Sequence, residues 1–137
     1  MNEKGVAGLV RDWLSRKTVQ LVRSTGVSDE LGGFALKAVH FGAPWLLLNN
    51  AALASSGCAI VSLAITVVVT SAYCALGGCV LSDAERELKF DRINIVDPYV
   101  RAFGRQISSG TRVEFTGYGA VFFISAMLVI MHVRGII

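Results

Sequence analysis

Two histidines and three cysteines are the side chains of this sequence best suited to chemistry in an apolar setting. His40 and His132 are its only histidines, and both lie in apolar stretches. Imidazole nitrogens are common ligands of haem iron, so the pair could hold a haem between two membrane helices. At the rise of a helix, however, their depths differ by about 9 Å, whereas two ligands of one haem lie at similar depth. We therefore expect an intramembrane hydrogen bond for each, with a haem-binding membrane anchor as an alternative.

The cysteines and acids give no catalytic pattern. Cys58, Cys74 and Cys79 lack the Cys-x-x-Cys spacing of redox and zinc motifs, and no histidine is close to them in sequence. We expect small, buried thiols that let helices approach closely. Glu85 and Glu87 would point apart on a helix, so they do not form an acid pair. The sequence thus predicts no enzyme, no cofactor or metal and no small-molecule substrate.

The elements that must position these side chains are long apolar segments. No charged residue occurs from 38 to 82, and a second apolar run covers 117–133. Because a helix crosses a bilayer with about 20 apolar residues, the first stretch is long enough for two spans. With 53% hydrophobic and 17% charged residues, the composition indicates an integral membrane protein. A net charge of +3 without a basic cluster speaks against nucleic acid as a partner.

Asn49-Asn50 is the expected break between the first two spans. Two amides are costly in hydrocarbon, and asparagine accepts turn geometry. We predict span one at 31–48, span two at 54–76 and span three at 117–133. Gly77-Gly78 should end the second span, because glycine allows the backbone to leave the helix.

The placement of basic residues supports three spans. Every Lys and Arg except Arg134 then falls on one side of the membrane. The positive-inside rule favours this distribution and places the N-terminus inside. Lys37, His40 and Pro44 make span one weak as a membrane helix, and a re-entrant or interfacial placement is its alternative.

The predicted fold is all-α, with three transmembrane helices plus short amphipathic surface helices. It divides into an N-terminal amphipathic segment (1–30), transmembrane helices 1 and 2 (31–81), an inner-side loop with two short helices (82–116) and transmembrane helix 3 (117–137). In the first segment, apolar residues recur at helical spacing around Trp13, which we expect to anchor the helix in the headgroup layer. The alternative is a helix that docks on a partner subunit.

Two capping signals divide the inner-side loop. Residues 82–85 form a capping-box pattern, with Ser82 as N-cap and Glu85 three residues later, which predicts a helix to about Asp91. Asp97-Pro98 predicts a second helix start, and residues 108–110 should end that helix.

Span two carries a stripe of small and weakly polar residues at spacings of three or four. Such a face lets membrane helices pack closely and form hydrogen bonds between them. The residues of this predicted packing stripe are Ser55, Ala59, Ser62, Thr66 and Thr70.

One sequence pattern resembles a known group of proteins. His40, Pro44 and Asn49 are followed by residues 78–85, in which Cys79, Leu81, Ser82 and Glu85 form a Cys-x-Leu-Ser-x-x-Glu motif. This pattern is similar to that of small membrane proteins of large icosahedral DNA viruses, where a His-containing apolar helix precedes one that ends in Cys-x-Leu-Thr-x-x-Glu. The resemblance implies a virion protein of the inner membrane that anchors capsid components, with no known enzymatic activity.

These observations predict a structural membrane subunit of a large assembly. Its expected partners are the lipid bilayer and other protein subunits. A virion inner membrane is the first expectation. The alternative is an accessory membrane subunit of a respiratory or photosynthetic complex in an organellar inner membrane.

Overall fold

The described part of the chain is mainly helical. The computed structural model describes residues 5–88 and 96–137. In these residues the chain forms six helices and no strand: α1 (Val6–Ser24), α2 (Asp29–Leu53), α3 (Ser56–Leu76), α4 (Val80–Glu87), α5 (Asp97–Ala102) and α6 (Ser109–Val133). The predicted all-α class is confirmed.

Three helices are long and apolar enough to cross a membrane: α2, α3 and the Gly110–Val133 part of α6. Their 25, 21 and 24 residues extend about 37, 31 and 36 Å at the rise of an α-helix. Because the hydrocarbon core of a bilayer is about 30 Å thick, each helix can span it. The chain is therefore an integral membrane protein, as predicted.

The break between α2 and α3 lies later than Asn49-Asn50, so that prediction is wrong. The helix continues past both amides, and the Ala54 N–H still bonds to the Asn50 carbonyl at 3.0 Å. Asparagine costs a helix less than about 1 kcal/mol relative to alanine. Ser55, by contrast, accepts the N–H of Cys58 at 3.5 Å and so caps the start of α3. The cap therefore determines where the turn falls.

α4 begins earlier than predicted, and the capping box at 82–85 is wrong. Gly77, with φ 61°, lies in the left-handed region just after α3. Cys79 is the extended residue that flanks the next helix, at φ −96° and ψ 119°, so Ser82 already lies in the first turn of α4. The predicted end of this helix near Asp91 lies outside the described residues.

The start of α6 was also predicted too late. The Ser108 hydroxyl accepts the Thr111 N–H at 3.1 Å, and the Thr111 hydroxyl accepts the Ser108 N–H at 2.8 Å. This reciprocal cap begins α6 at the residues that were predicted to end the preceding helix. That preceding helix, α5, instead ends at Ala102, and it has Pro98 in its first turn.

The described residues form two compact units. One contains α1, α4, the part of α2 up to His40 and the end of α3 from Ala72. In this unit Val19 of α1 packs against Ala84 and Leu88 of α4, and all three side chains are buried. α1 is thereby fixed to α4 by an apolar contact.

A cation strengthens that attachment. Arg11 of α1 lies 2.9 Å from the Asp83 carboxylate and donates a hydrogen bond to the Gly77 carbonyl at 2.6 Å. The last carbonyls of a helix carry partial negative charge and have no partner in the helix, so a guanidinium there is stabilising. Arg11 therefore holds α1, the end of α3 and α4 together.

The other unit contains the rest of α2 and α3, together with α5 and α6. Here Arg134, just beyond α6, donates to the Ala51 and Ala54 carbonyls, each at 2.6 Å. The C-terminal ends of α2 and α6 thus lie side by side. Farther from these ends, the rings of Trp45 in α2 and Phe123 in α6 are 5.2 Å apart, so the paired parts of the two helices run in the same direction. A chain that crosses with α2, returns with α3 and crosses again with α6 requires this arrangement.

Candidate functional site

A cysteine, a histidine and a glutamate meet at the start of α4. Cys79 is the residue before the first turn of α4, and Glu85 lies in the middle of that eight-residue helix. The turn at Gly77, held by Arg11, delivers Cys79 in extended conformation directly after the apolar helix α3. The local backbone therefore presents a thiol at the end of a membrane span.

His40 of α2 lies between the other two side chains. Its Nδ1 is 3.0 Å from Glu85 Oε1, and its Nε2 is 3.5 Å from Cys79 Sγ. The Glu85 side chain is 8% exposed and that of His40 is 22% exposed, so the cluster is largely shielded from solvent. A carboxylate at Nδ1 fixes the imidazole ring and leaves Nε2 directed at the thiol.

The electrostatics of this cluster favour a thiolate. Burial by itself would raise the pKa of the Cys79 thiol, because it disfavours the charged form. The contact with His40 and hydrogen bonds from the backbone and hydroxyl of Ser82 outweigh burial, and the pKa lies below its usual value. In reactive cysteines, a neighbouring histidine or a helix N-terminus lowers the pKa of the thiol in the same way.

The order of contacts is that of an activated nucleophile. A nucleophile, a base within reach of it, and a third group that orients the base make up the general arrangement for covalent catalysis. The cluster is unsuited to a metal ion, because the two ring nitrogens of His40 face different partners rather than a common point. Across the described residues, no group of three or more His, Cys, Asp or Glu side chains could hold a metal.

The four residues of the sequence motif lie within seven consecutive residues, 79–85. Cys79 and Glu85 both contact His40, which belongs to the same sequence pattern. Ser82 is buried in the first turn of α4 and does not cap that helix, and Leu81 is half-buried.

The predicted packing stripe of α3 is buried in part. Ala59 and Ser62 are buried, and the Thr66 hydroxyl lies 3.6 Å from the sulfur of Met127 in α6. Thr70 is half-buried, whereas Ser55 is exposed. The middle of the stripe therefore faces neighbouring side chains.

The predicted interfacial anchor and two cysteines lie on the outside. Trp13 of α1 is 54% exposed. Cys58 and Cys74 are exposed, so the prediction that they are buried is wrong, and Cys79 is half-buried.

The contact between Cys79 and His40 was not predicted from the sequence. His40 is 39 residues from Cys79 and 45 residues from Glu85, so proximity along the chain gave no sign of it. The sequence signal that could have found it is the pattern in which all three residues occur together. His132, the other histidine, is exposed in the last turn of α6.

Comparison with known proteins adds no relative. No protein-family model, curated protein or solved structure matches this chain.

Proposed function

We propose that this chain is a structural membrane subunit of a large assembly, and that the assembly is a virion in whose inner membrane it anchors capsid components. The observation that carries the proposal is the contact of His40 with both Cys79 and Glu85. These three residues belong to the pattern shared with small membrane proteins of large icosahedral DNA viruses. Their contact supports reading that pattern as one local structure rather than as scattered identities.

Aromatic side chains near the start of α6 give the subunit a surface for its neighbours. Phe103, just after α5, lies 5.6 Å from Phe115 of α6, which lies 5.9 Å from Tyr118, measured between ring centres. Phe103 is 74% exposed within the chain. Exposed aromatic residues of this kind are enriched at protein interfaces, so this aromatic cluster is suited to a partner subunit.

The haem-anchor alternative is disfavoured by the surroundings of His40. An axial ligand needs one free ring nitrogen for iron. In His40, Nδ1 is engaged by Glu85 and Nε2 by Cys79. An accessory subunit of an organellar complex would use the same spans and surfaces. The identity of the partner proteins distinguishes it from a virion subunit.

Gentle detergent extraction from the native source, native-size separation and mass spectrometry test the proposal. We expect the chain to co-migrate with a capsid lattice protein, and Phe103→Ala to reduce the amount of partner recovered. Val133→Ala is the matched control, because that side chain is similarly exposed, at 80%, but lies at the far end of α6. Co-migration with redox subunits would replace the virion by a bioenergetic complex, and migration alone would refute the subunit role.

A further inference from the structure

The Cys79 site has more chemistry than an anchoring role requires. Its thiol contacts an imidazole, and the imidazole contacts a carboxylate that is almost fully buried. A purely structural contact could be made by any small side chain at position 79. The arrangement of these three groups instead matches what a thiol needs to attack a carbonyl carbon.

The start of α4 adds electrostatic support for that attack. The first N–H groups of a helix have no partner within the helix and carry partial positive charge. Cys79 is the residue that flanks them. An oxyanion formed at a carbonyl bound to Cys79 Sγ would lie next to these donors.

The position of Cys79 just after a membrane helix indicates the class of substrate. Cys79 follows the last residue of the membrane helix α3 by three positions, and its side chain is half-buried. A carbonyl carbon that reaches such a thiol must come from a molecule that resides at the membrane surface. Long-chain fatty acyl thioesters meet this requirement, and juxtamembrane cysteines are the usual acceptors of fatty acyl groups.

We infer that Cys79 is an S-acylation site that takes a long-chain acyl group directly from a fatty acyl thioester. The Cys79 thiolate attacks the carbonyl carbon, and the bond between that carbon and the donor sulfur breaks. The donor leaves as a thiol with the proton from His40, and a new thioester joins the acyl group to Cys79. No oxidant or reductant takes part. Glu85 is a positioning residue, because it acts through the His40 ring.

The other two cysteines are internal controls. Cys58 lies in the first turn of α3 and Cys74 near its end, and both are exposed. Neither side chain has a histidine contact among the hydrogen bonds of the described residues. If solvent exposure determined which cysteine is acylated, Cys58 and Cys74 would therefore be favoured. If the contact with His40 determines it, Cys79 is acylated.

The test uses the purified full chain in phosphatidylcholine vesicles with palmitoyl-coenzyme A. Intact-mass spectrometry should show one added acyl group that hydroxylamine removes, and peptide analysis should place it on Cys79. Cys79→Ser should abolish the adduct without loss of fold, because serine is a good residue at a helix N-cap. Cys74→Ser, the matched control, should retain it.

His40→Asn should slow acylation at least tenfold and change its pH dependence. At pH 7 an ordinary thiol is only about 3% thiolate, so the variant rate should rise with pH up to about 8.5. The wild-type rate should depend less steeply on pH over the same range, because the pKa of the Cys79 thiol lies below its usual value. The charged groups around the thiol are Glu85 and, at the Gly77 turn, Arg11 and Asp83.

A measurement on the unmodified chain guards against a variant that fails to fold. Iodoacetamide should alkylate Cys79 at pH 6.5 at least tenfold faster in the folded chain than in the chain unfolded by denaturant. Three results would each overturn the inference. They are acylation of all three cysteines, equal acylation rates for wild type and His40→Asn, and an alkylation rate of Cys79 in the folded chain no higher than in the unfolded chain. The virion or organellar assignment is independent of these outcomes, since they are read on the isolated chain.

Discussion

Removal of the Arg112 side chain should detach α5 from α6. Arg112 donates from Nε to Asp97 Oδ1 at 2.8 Å and from Nη2 to Oδ2 at 2.7 Å, a two-pronged ion pair between the helices. The Asp97 side chain is 5% exposed and that of Arg112 is 29% exposed. Paired charge-assisted bonds of this kind are stronger than neutral ones, and a buried carboxylate is costly without them.

We expect Arg112→Ala to destabilise the α5–α6 contact by about 2–3 kcal/mol, on the scale of lost hydrogen bonds to charged groups. Because every 1.4 kcal/mol is a factor of ten, opening of α5 should become at least about 30-fold more frequent. Asp97→Asn should cost less, about 1–2 kcal/mol, since water can reach the guanidinium that remains.

Hydrogen exchange in detergent measures this opening at the amides of α5. The Val100 N–H bonds to the Val96 carbonyl at 2.9 Å and the Phe103 N–H to the Tyr99 carbonyl at 3.1 Å, so both amides report on the helix. Arg105→Ala is the matched control, because its ion pair with Glu114 joins the same region but is exposed at 53% and 36%. That pair should contribute less than about 1 kcal/mol. Equal exchange in Arg112→Ala and Arg105→Ala would refute the reasoning.

Three further changes should alter thermal unfolding in detergent. Gly77→Ala should destabilise by about 1–2 kcal/mol because φ is 61°, whereas Gly42→Ala, at an open helical position, should be neutral or stabilising. Ser108→Ala should cost about 1 kcal/mol through loss of the α6 cap, and Ser108→Gly only a few tenths; equal effects would show that the cap is unimportant. Arg134→Gln should cost about 1 kcal/mol by weakening two bonds of 2.6 Å to the end of α2, and an unchanged midpoint would contradict that attachment.

Composition and charge were sufficient to predict the membrane helices. An apolar segment of about 20 residues has few alternatives to a transmembrane helix, because lipid offers no hydrogen bonds to an irregular backbone. The glycine at 77 likewise ended α3 as expected, since it leaves the helix at little steric cost. These features depend on the local sequence alone, which is why they could be predicted.

Helix ends were predicted less well because several residues compete for the same role. Both Asn50 and Ser55 are suited to a turn after the first span, and the structure uses the serine cap. Ser108 could have ended one helix or begun the next, and its reciprocal bonds with Thr111 decided for the second. Differences of about 1 kcal/mol separate such choices, and tertiary contacts easily exceed that.

Glu85 shows how a long-range contact overrides a local one. As the third residue of a helix capped by Ser82, its carboxylate would turn back to the backbone N–H at the helix start. A carboxylate in that position could not also contact His40. In the structure α4 begins at Val80, so Glu85 lies beyond the first turn and its Oε1 lies 3.0 Å from His40 Nδ1.

The same shift brings the thiol into the site. When α4 begins at Val80, Cys79 becomes the residue that flanks the helix N-terminus, with its sulfur 3.5 Å from His40 Nε2. If the helix began after Ser82, the thiol would lie away from those amides. The imidazole would also lack its carboxylate partner. One backbone choice therefore assembles all three groups, and a helix prediction based on local capping chemistry would miss the site even if every residue type were recognised. The contact that decides it spans 45 residues of sequence, which no local pattern encodes.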